Sequence, residues 1–299
     1  MKNVKRISAG IAIVVFAAAM SQCSKKNYNT PNPAPAAVPA KLVSLRTDGT
    51  LGNYLVDSGG HTLYSFANDA DGKNNCSGGC ATSWPAYEGS GLTVDRLGAG
   101  LDLSDFGSTA SSTGGTQLTY KGWPLYSFSP SGTPEAAGQL SGEGIAGIWF
   151  AAKPDYSIML ANCQLIGKDG NHYKQDYTVG DGSTIYFTDA QGHTLYAFLK
   201  DSSNHNKFTA ADFSNNAQWP VYVASSSLSF PSTLDKTDFT STLVFGRSQL
   251  TYKGWPLYHF GADSGRRARN TGITVGSAAG TAGEVWSVMM GGIAPAPRP

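Results

Sequence analysis

The octapeptide Thr-Tyr-Lys-Gly-Trp-Pro-Leu-Tyr occurs at Thr119–Tyr126 and again at Thr251–Tyr258, 132 residues later. A second pair of segments has the same offset, since Gly60–Phe66 returns as Gly192–Phe198 with one change in seven residues. Two long matches at a single offset indicate an internally duplicated chain.

Each half also contains the element Leu-Tyr-x-Phe twice, 62 residues apart. The four copies contain Tyr64 with Phe66, Tyr126 with Phe128, Tyr196 with Phe198, and Tyr258 with Phe260. A tryptophan follows each copy in the order Trp84, Trp149, Trp219 and Trp286. Residues of alternating polarity flank a glycine turn before each copy, as in Tyr54–Asp57 and His61–Phe66, which is typical of a β-hairpin.

We therefore predict an all-β fold of four three-stranded modules, each formed by a hairpin and a strand that carries the tryptophan. The arrangement is propeller-like, or a pair of sandwiches or barrels, and the spacing does not choose among these. The composition agrees, because 36 glycines and only 14% charged residues are typical of short strands joined by many turns.

The amino terminus has the pattern of an export signal. Residues 1–22 contain three basic residues and then the apolar stretch Ile7–Met20, which is too short to span a bilayer as a helix. Cys23 follows directly and resembles the lipid-modified cysteine of bacterial lipoproteins, although Gln22 stands where a small residue is usual. The alternative is an ordinary signal peptide with an incidental cysteine. Residues 23–41 are rich in proline and predict an extended tether.

The remaining boundaries follow from the repeat. We predict a first half at residues 42–163, a second half at 164–293 and a disordered tail at 294–299. Without residues 1–22 the chain has 19 basic and 21 acidic residues, with no long run of either sign. Nucleic acid is therefore excluded as an expected partner, because binding to phosphates requires a basic surface.

These features resemble the bacterial secreted-repeat lipoproteins named for a Tyr-x4-Asp motif, a family without a defined biochemical role. The motif is present at Tyr64–Asp69, Tyr196–Asp201 and Tyr258–Asp263, whereas the Tyr126 copy has Ser131 in place of aspartate. The family's cysteine-containing loop ending in Cys-Ala-x-x-Trp-Pro matches Cys76–Pro85. The resemblance implies a cell-envelope location and a fold, and it supplies no reaction.

Cys76 and Cys80 are expected to form a disulfide, because an exported chain meets an oxidising compartment. A redox-active pair and half of a metal site are the alternatives. The second half has no cysteine at the corresponding positions.

The repeated tyrosines favour a structural role, because a large ring that recurs once per module is what stacking of modules requires. An aromatic groove for a sugar or lipid is the functional alternative. The motif aspartates follow a strand closely, where a carboxylate accepts backbone N–H groups and closes a turn. His61 and His193 occupy the same repeat position and are weak metal candidates, since neither has a second ligand at a suitable spacing.

We accordingly expect a non-catalytic module of the cell envelope, anchored to the membrane by lipid, without a cofactor, and with an envelope protein or glycan as its partner. The first alternative is an extracytoplasmic redox or metal-binding protein linked to electron transfer. A hydrolase of envelope glycans is the second alternative, which requires two carboxylates close together in space.

Overall fold

The computed structural model describes residues 39–274 and 285–299, which are almost entirely strands and turns. The all-β prediction is confirmed. Cys23, the signal segment and most of the tether lie outside the described residues. The elements are β1 (Val43–Asp48), β2 (Gly52–Asp57), β3 (Tyr64–Phe66), α1 (Gly79–Ser83), β4 (Phe106–Ala110), β5 (Thr116–Tyr120), β6 (Trp123–Pro124), β7 (Trp149–Ala151), β8 (Met159–Ile166), β9 (His172–Tyr173), β10 (Ser183–Thr188), β11 (Tyr196–Phe198), β12 (Phe239–Val244), β13 (Arg247–Tyr252), β14 (Trp255–Pro256) and β15 (Trp286–Val288).

The strands form small antiparallel sheets. Their orders are β1-β2, β3-β7, β4-β5-β6, β10-β8-β9, β11-β15 and β12-β13-β14. Among the described strands no sheet closes into a barrel. Strands β1 and β12 end at turns that contain Gly49 and Gly246, and β6 and β14 end at a proline, which has no N–H group to continue a ladder.

The grouping of strands differs from the three-stranded modules that the sequence predicts. Strand β7, which carries Trp149, pairs with β3 of the preceding module, so that Phe66 lies opposite Trp149. Strand β15 pairs with β11 in the same way and places Trp286 opposite Phe198. A strand that follows the second hairpin of each half therefore completes the sheet of the first.

The other two tryptophans lie outside strands. Trp84 and Trp219 are each followed by a proline, which has no N–H group to continue a ladder. Each segment makes a single β-bridge instead, between Ala86 and Tyr126 in the first half and between Val221 and Tyr258 in the second.

The two Leu-Tyr-x-Phe elements of each half lie side by side. Tyr64 and Tyr126 exchange two backbone hydrogen bonds of 2.9 Å, and Tyr196 and Tyr258 exchange bonds of 2.8 and 3.0 Å. In each half the tyrosines and phenylalanines lie in one apolar cluster, while the leucines of the same elements lie in another. This separation follows from the alternation of side chains along a strand.

Pro39–Pro299 forms one compact unit. The boundary expected between residues 163 and 164 falls inside β8, which pairs with β10 over its first six residues. The corresponding strands of the first half are β1 and β2, so β8 has the position that opens a half.

Residues 294–299, expected to be a disordered tail, contact the second half. The Ala296 N–H donates to the Lys253 carbonyl over 2.9 Å, and the Pro297 carbonyl accepts from Ser203 N–H over 2.7 Å. The Trp255 indole N–H donates to the Ala294 carbonyl. Small residues and prolines gave no sequence signal for this docking, which depends on backbone hydrogen bonds.

Candidate functional site

The repeated tyrosines are completely buried, and each hydroxyl donates a hydrogen bond to a carboxylate. Tyr126 donates to Asp69 Oδ2 over 2.5 Å and Tyr258 donates to Asp201 Oδ2 over 2.7 Å. Tyr196 donates to Asp263 Oδ2. The sequence predicts buried rings at these positions, and the carboxylate partners are new information from the structure.

Each of these aspartates belongs to the motif of the other tyrosine in the same half. Asp201 follows Tyr196 in sequence but accepts from Tyr258, and Asp263 follows Tyr258 but accepts from Tyr196. The cause is the side-by-side pairing of the two tyrosines together with short 3-10 turns, such as Gly261–Asp263, that follow the phenylalanines. We call this arrangement the tyrosine–acid exchange.

Where the motif has Ser131 in place of aspartate, a different acidic residue accepts the tyrosine hydrogen bond. Ser131 is exposed, and Tyr64 donates to Glu135 Oε1 over 2.6 Å. The other oxygen of Glu135 accepts from Ser141 N–H over 2.9 Å, much as Asp263 accepts from Thr271 N–H. Glu135 was not predicted from the sequence, although it is the sole acidic residue between positions 127 and 142.

The second oxygen of the motif aspartates closes a loop. Asp69 Oδ1 accepts from Asn75 N–H and Asp201 Oδ1 accepts from Lys207 N–H, each over 2.7 Å. Burial raises the pKa of Asp69 to about 7 and that of Asp201 to about 6, against the lowering effect of these hydrogen bonds. Burial is also the main cause that raises the pKa of the Tyr126 and Tyr258 hydroxyls, so these groups stay protonated.

A column of four aromatic rings fills the core of each half beside the exchange. In the first half Trp84 stacks on Trp149 at 3.8 Å, with Phe128 and Phe66 on the outer faces at 4.3 and 4.0 Å. In the second half the equivalent column is Phe260, Trp219, Trp286 and Phe198. The rings are therefore used to pack the interior, and the alternative of an exposed aromatic groove receives no support at these positions.

The disulfide between Cys76 and Cys80 is confirmed. Cys76 is fully buried and lies in the apolar cluster that contains Trp84. The position equivalent to Cys76 in the second half is Phe208, whose ring packs edge-on against Trp286 at 4.9 Å. An aromatic ring thus packs in the second half where the first half has a disulfide.

The repeated histidines pair with aspartates of their own hairpin turns. His61 Nδ1 lies 3.1 Å from Asp57, and His193 Nδ1 lies 2.9 Å from Asp189. In the second half His259 is a further neighbour, with its Nε2 at 3.7 Å from Asp189 Oδ2. Asp189 raises the pKa of His193, whereas burial lowers the pKa of His259.

A pocket of about 220 Å³ opens beside His193 and His259 and is also lined by Phe260 and Asp263. In residues 39–274 and 285–299 no group of three or more His, Cys, Asp and Glu side chains is arranged to hold a metal ion. The first half has Ser127 at the position of His259, so this histidine pair is particular to the second half.

Comparisons with known proteins bear on the segment that contains the first Tyr-x4-Asp motif and the disulfide. Neither the curated proteins nor the solved structures give a significant match to the chain. Residues 46–87 match the family model described as a secreted repeat of unknown function. That description indicates an extracytoplasmic protein, and no helix of the described residues is long and apolar enough to cross a bilayer. Residues 46–87 are therefore similar to the secreted-repeat family that is expected from the sequence.

Proposed function

We propose that this protein is an exported, lipid-anchored and non-catalytic module of the cell envelope, which presents an all-β body for binding or for a structural role. Cys23 would be the lipidated first residue of the mature chain, and residues 24–41 would link it to the folded unit. The membrane is its first partner through the lipid, and an envelope protein or glycan is the second.

The observation that carries this proposal is the tyrosine–acid exchange. The residues that define the family motif are buried and bonded to one another, so the motif builds the fold. Catalytic carboxylates need an accessible proton and two different environments, one for the acid and one for the base. Asp69 and Asp201 instead have equivalent environments in the two halves, and both oxygens of each carboxylate accept hydrogen bonds. The motif acids therefore give no support to glycan hydrolysis.

The lipid anchor is tested on the full chain in a bacterial host that modifies lipoproteins. Intact mass and membrane fractionation are compared for the wild type and Cys23→Ser. We expect the wild type to carry the added mass of a lipid and to sediment with membranes, and the variant to lack both properties. Masses that differ only by the exchange of sulfur for oxygen, with equal solubility, would show that the anchor proposal is wrong.

A metal-binding or redox function is a second candidate because His193 and His259 both approach Asp189 beside an open pocket. Metal analysis of protein from its native envelope tests it, with His259→Ser as the variant that copies the first half. Stoichiometric copper, zinc or iron that is lost in His259→Ser would favour this function. An equal metal content in both proteins would show that His193 and His259 do not form a metal-binding site.

A further inference from the structure

The hairpin between β12 and β13 carries an unusual group of exposed apolar residues. Leu243 is 77% exposed and Phe245 is 58% exposed at the turn itself. The Phe213 ring lies edge-on to Phe245 at 6.1 Å, and the Arg247 guanidinium lies 3.9 Å above the centre of the Phe213 ring. We call Phe213, Leu243, Phe245 and Arg247 the Phe245 tip.

Local turn chemistry does not explain these residues. Phe245 has φ of 46° and Phe213 has φ of 57°, a left-handed conformation that is unfavourable for bulky side chains. A two-residue hairpin turn of this kind prefers Asn-Gly, whereas the sequence here is Phe245-Gly246. The corresponding turn of the first half, residues 111–115, is Ser-Ser-Thr-Gly-Gly. The second half thus retains an exposed aromatic residue, Phe245, in an unfavourable backbone conformation.

We propose that the Phe245 tip inserts into the surface of the membrane to which the protein is tethered. The inference rests on the proposed lipid anchor and adds a second point of contact to it. Phenylalanine and leucine bury their side chains at the boundary between headgroups and acyl chains, and arginine stays at the level of the phosphates.

The size of the tip favours a lipid surface over a protein partner. A stable protein interface uses about 20–30 residues on each side, many more than these four. The space around the turn is open, since a side chain added at Gly246 would meet no atom within 4 Å. A protruding apolar turn of this kind suits insertion into a soft boundary and provides no enclosed site for a sugar.

The length of the tether is comparable to the diameter of the folded unit. The proposed anchor Cys23 precedes Pro39 by 16 residues, which span about 55 Å when extended. A compact unit of the size of Pro39–Pro299 has a diameter of about 47 Å. The proposed anchor therefore holds the folded unit within about one of its own diameters of the bilayer.

Asp212 limits the expected role of lipid charge. It is exposed and adjacent to Phe213 in sequence, so its carboxylate opposes the attraction of Arg247 to anionic headgroups. We expect apolar insertion to dominate, with similar binding to neutral and anionic vesicles.

The test uses the mature chain from residue 24 onward, made without the signal segment and therefore without lipid. Its binding to phosphatidylcholine vesicles and to vesicles of phosphatidylethanolamine with phosphatidylglycerol is measured by co-flotation. Phe245→Asn and Leu243→Ser are each expected to weaken binding by about tenfold, because each removes one inserted side chain. Asn suits a left-handed turn, so Phe245→Asn should fold at least as well as the parent chain.

Val94→Ser is the matched control, since Val94 is 70% exposed and belongs to the first half, outside the Phe245 tip. Its binding should equal that of the parent chain. The proposal is overturned if the unlipidated chain binds neither kind of vesicle, or if the two tip variants bind as well as Val94→Ser. Binding to anionic vesicles alone that is lost in Arg247→Gln and retained in Phe245→Asn would show simple charge attraction and would also overturn it. Because this protein carries no lipid, the outcome is independent of the Cys23 experiment.

Discussion

A tyrosine hydroxyl bonded to a buried carboxylate is the residue-scale feature on which the fold depends. The sequence predicts that Tyr64 and its three equivalents are core rings, because they recur once per module, and it predicts that the motif aspartates accept backbone N–H groups. It does not predict which tyrosine bonds to which acid. Linear spacing places Asp69 near Tyr64, whereas the contact with Tyr126 depends on the pairing of two distant strands.

The raised pKa of Asp69 predicts a pH dependence of stability. Its pKa is about 7 in the folded state and about 3.8 when unperturbed, so the protonated form is favoured by folding. The contribution is therefore complete below pH about 4 and is lost as the pH rises through about 7, with a magnitude of up to about 4 kcal/mol.

Asp69→Asn mimics the protonated carboxyl and should lack this contribution. The free energy of unfolding in urea is measured for both proteins from pH 4 to pH 8. We expect the asparagine variant to become progressively more stable relative to the wild type as the pH rises. Parallel pH profiles would show that Asp69 does not titrate in this range.

At the scale of elements, a strand or loop of one module completes the neighbouring module. The sequence predicts the hairpins and the tryptophan segments, but it assigns each tryptophan to the hairpin before it. Pairing of β7 with β3 reverses that assignment. Proline after Trp84 and Trp219 was the signal that these two segments are not regular strands.

The loop between β6 and β7 supplies the acid that the motif lacks. Glu135→Ala should destabilise the protein by about 1–3 kcal/mol, because it leaves the buried Tyr64 hydroxyl without an acceptor. Ser131→Ala is the matched control and should change stability by less than about 0.5 kcal/mol, since Ser131 is exposed. Urea unfolding measures both. Equal effects of the two substitutions would show that the Glu135 carboxylate does not stabilise the buried Tyr64 hydroxyl.

The disulfide loop is predicted to be a local staple. Cys76→Ser with Cys80→Ser should lower the free energy of unfolding by about 2 kcal/mol, because the bond closes a very short loop. The tertiary structure should persist, as the second half packs Phe208 at the same place without a disulfide. Near-ultraviolet circular dichroism and urea unfolding check this expectation. A collapse of the tertiary signal would mean that the bond is needed for folding of the first half.

At the scale of the whole molecule, the two halves are joined across their hairpin turns. The Arg267 guanidinium donates to the carbonyls of Lys121 and Gln191, one from each half, and lies 4.6 Å from the centre of the Trp123 ring. The Trp123 indole N–H donates to the Ala190 carbonyl over 3.0 Å. The sequence does not predict these contacts, because the 132-residue period gives no information about how the repeats pack together.

Because of these contacts we expect residues 39–299 to unfold as one cooperative unit. Differential scanning calorimetry of the mature chain should give a single transition in which the calorimetric and van't Hoff enthalpies agree. Two separated transitions would show that the halves are independent domains.

The tyrosine–acid exchange is tested most directly by double-mutant cycles in the second half. Tyr258→Phe is combined with Asp201→Ala in one cycle and with Asp263→Ala in the other, and unfolding free energies are measured in urea. The exchange predicts a coupling free energy of about 1–3 kcal/mol between Tyr258 and Asp201, and near-additive effects, within about 0.5 kcal/mol, for Tyr258 and Asp263. Strong coupling to Asp263, the aspartate of the linear motif, together with additivity for Asp201 would contradict the exchange.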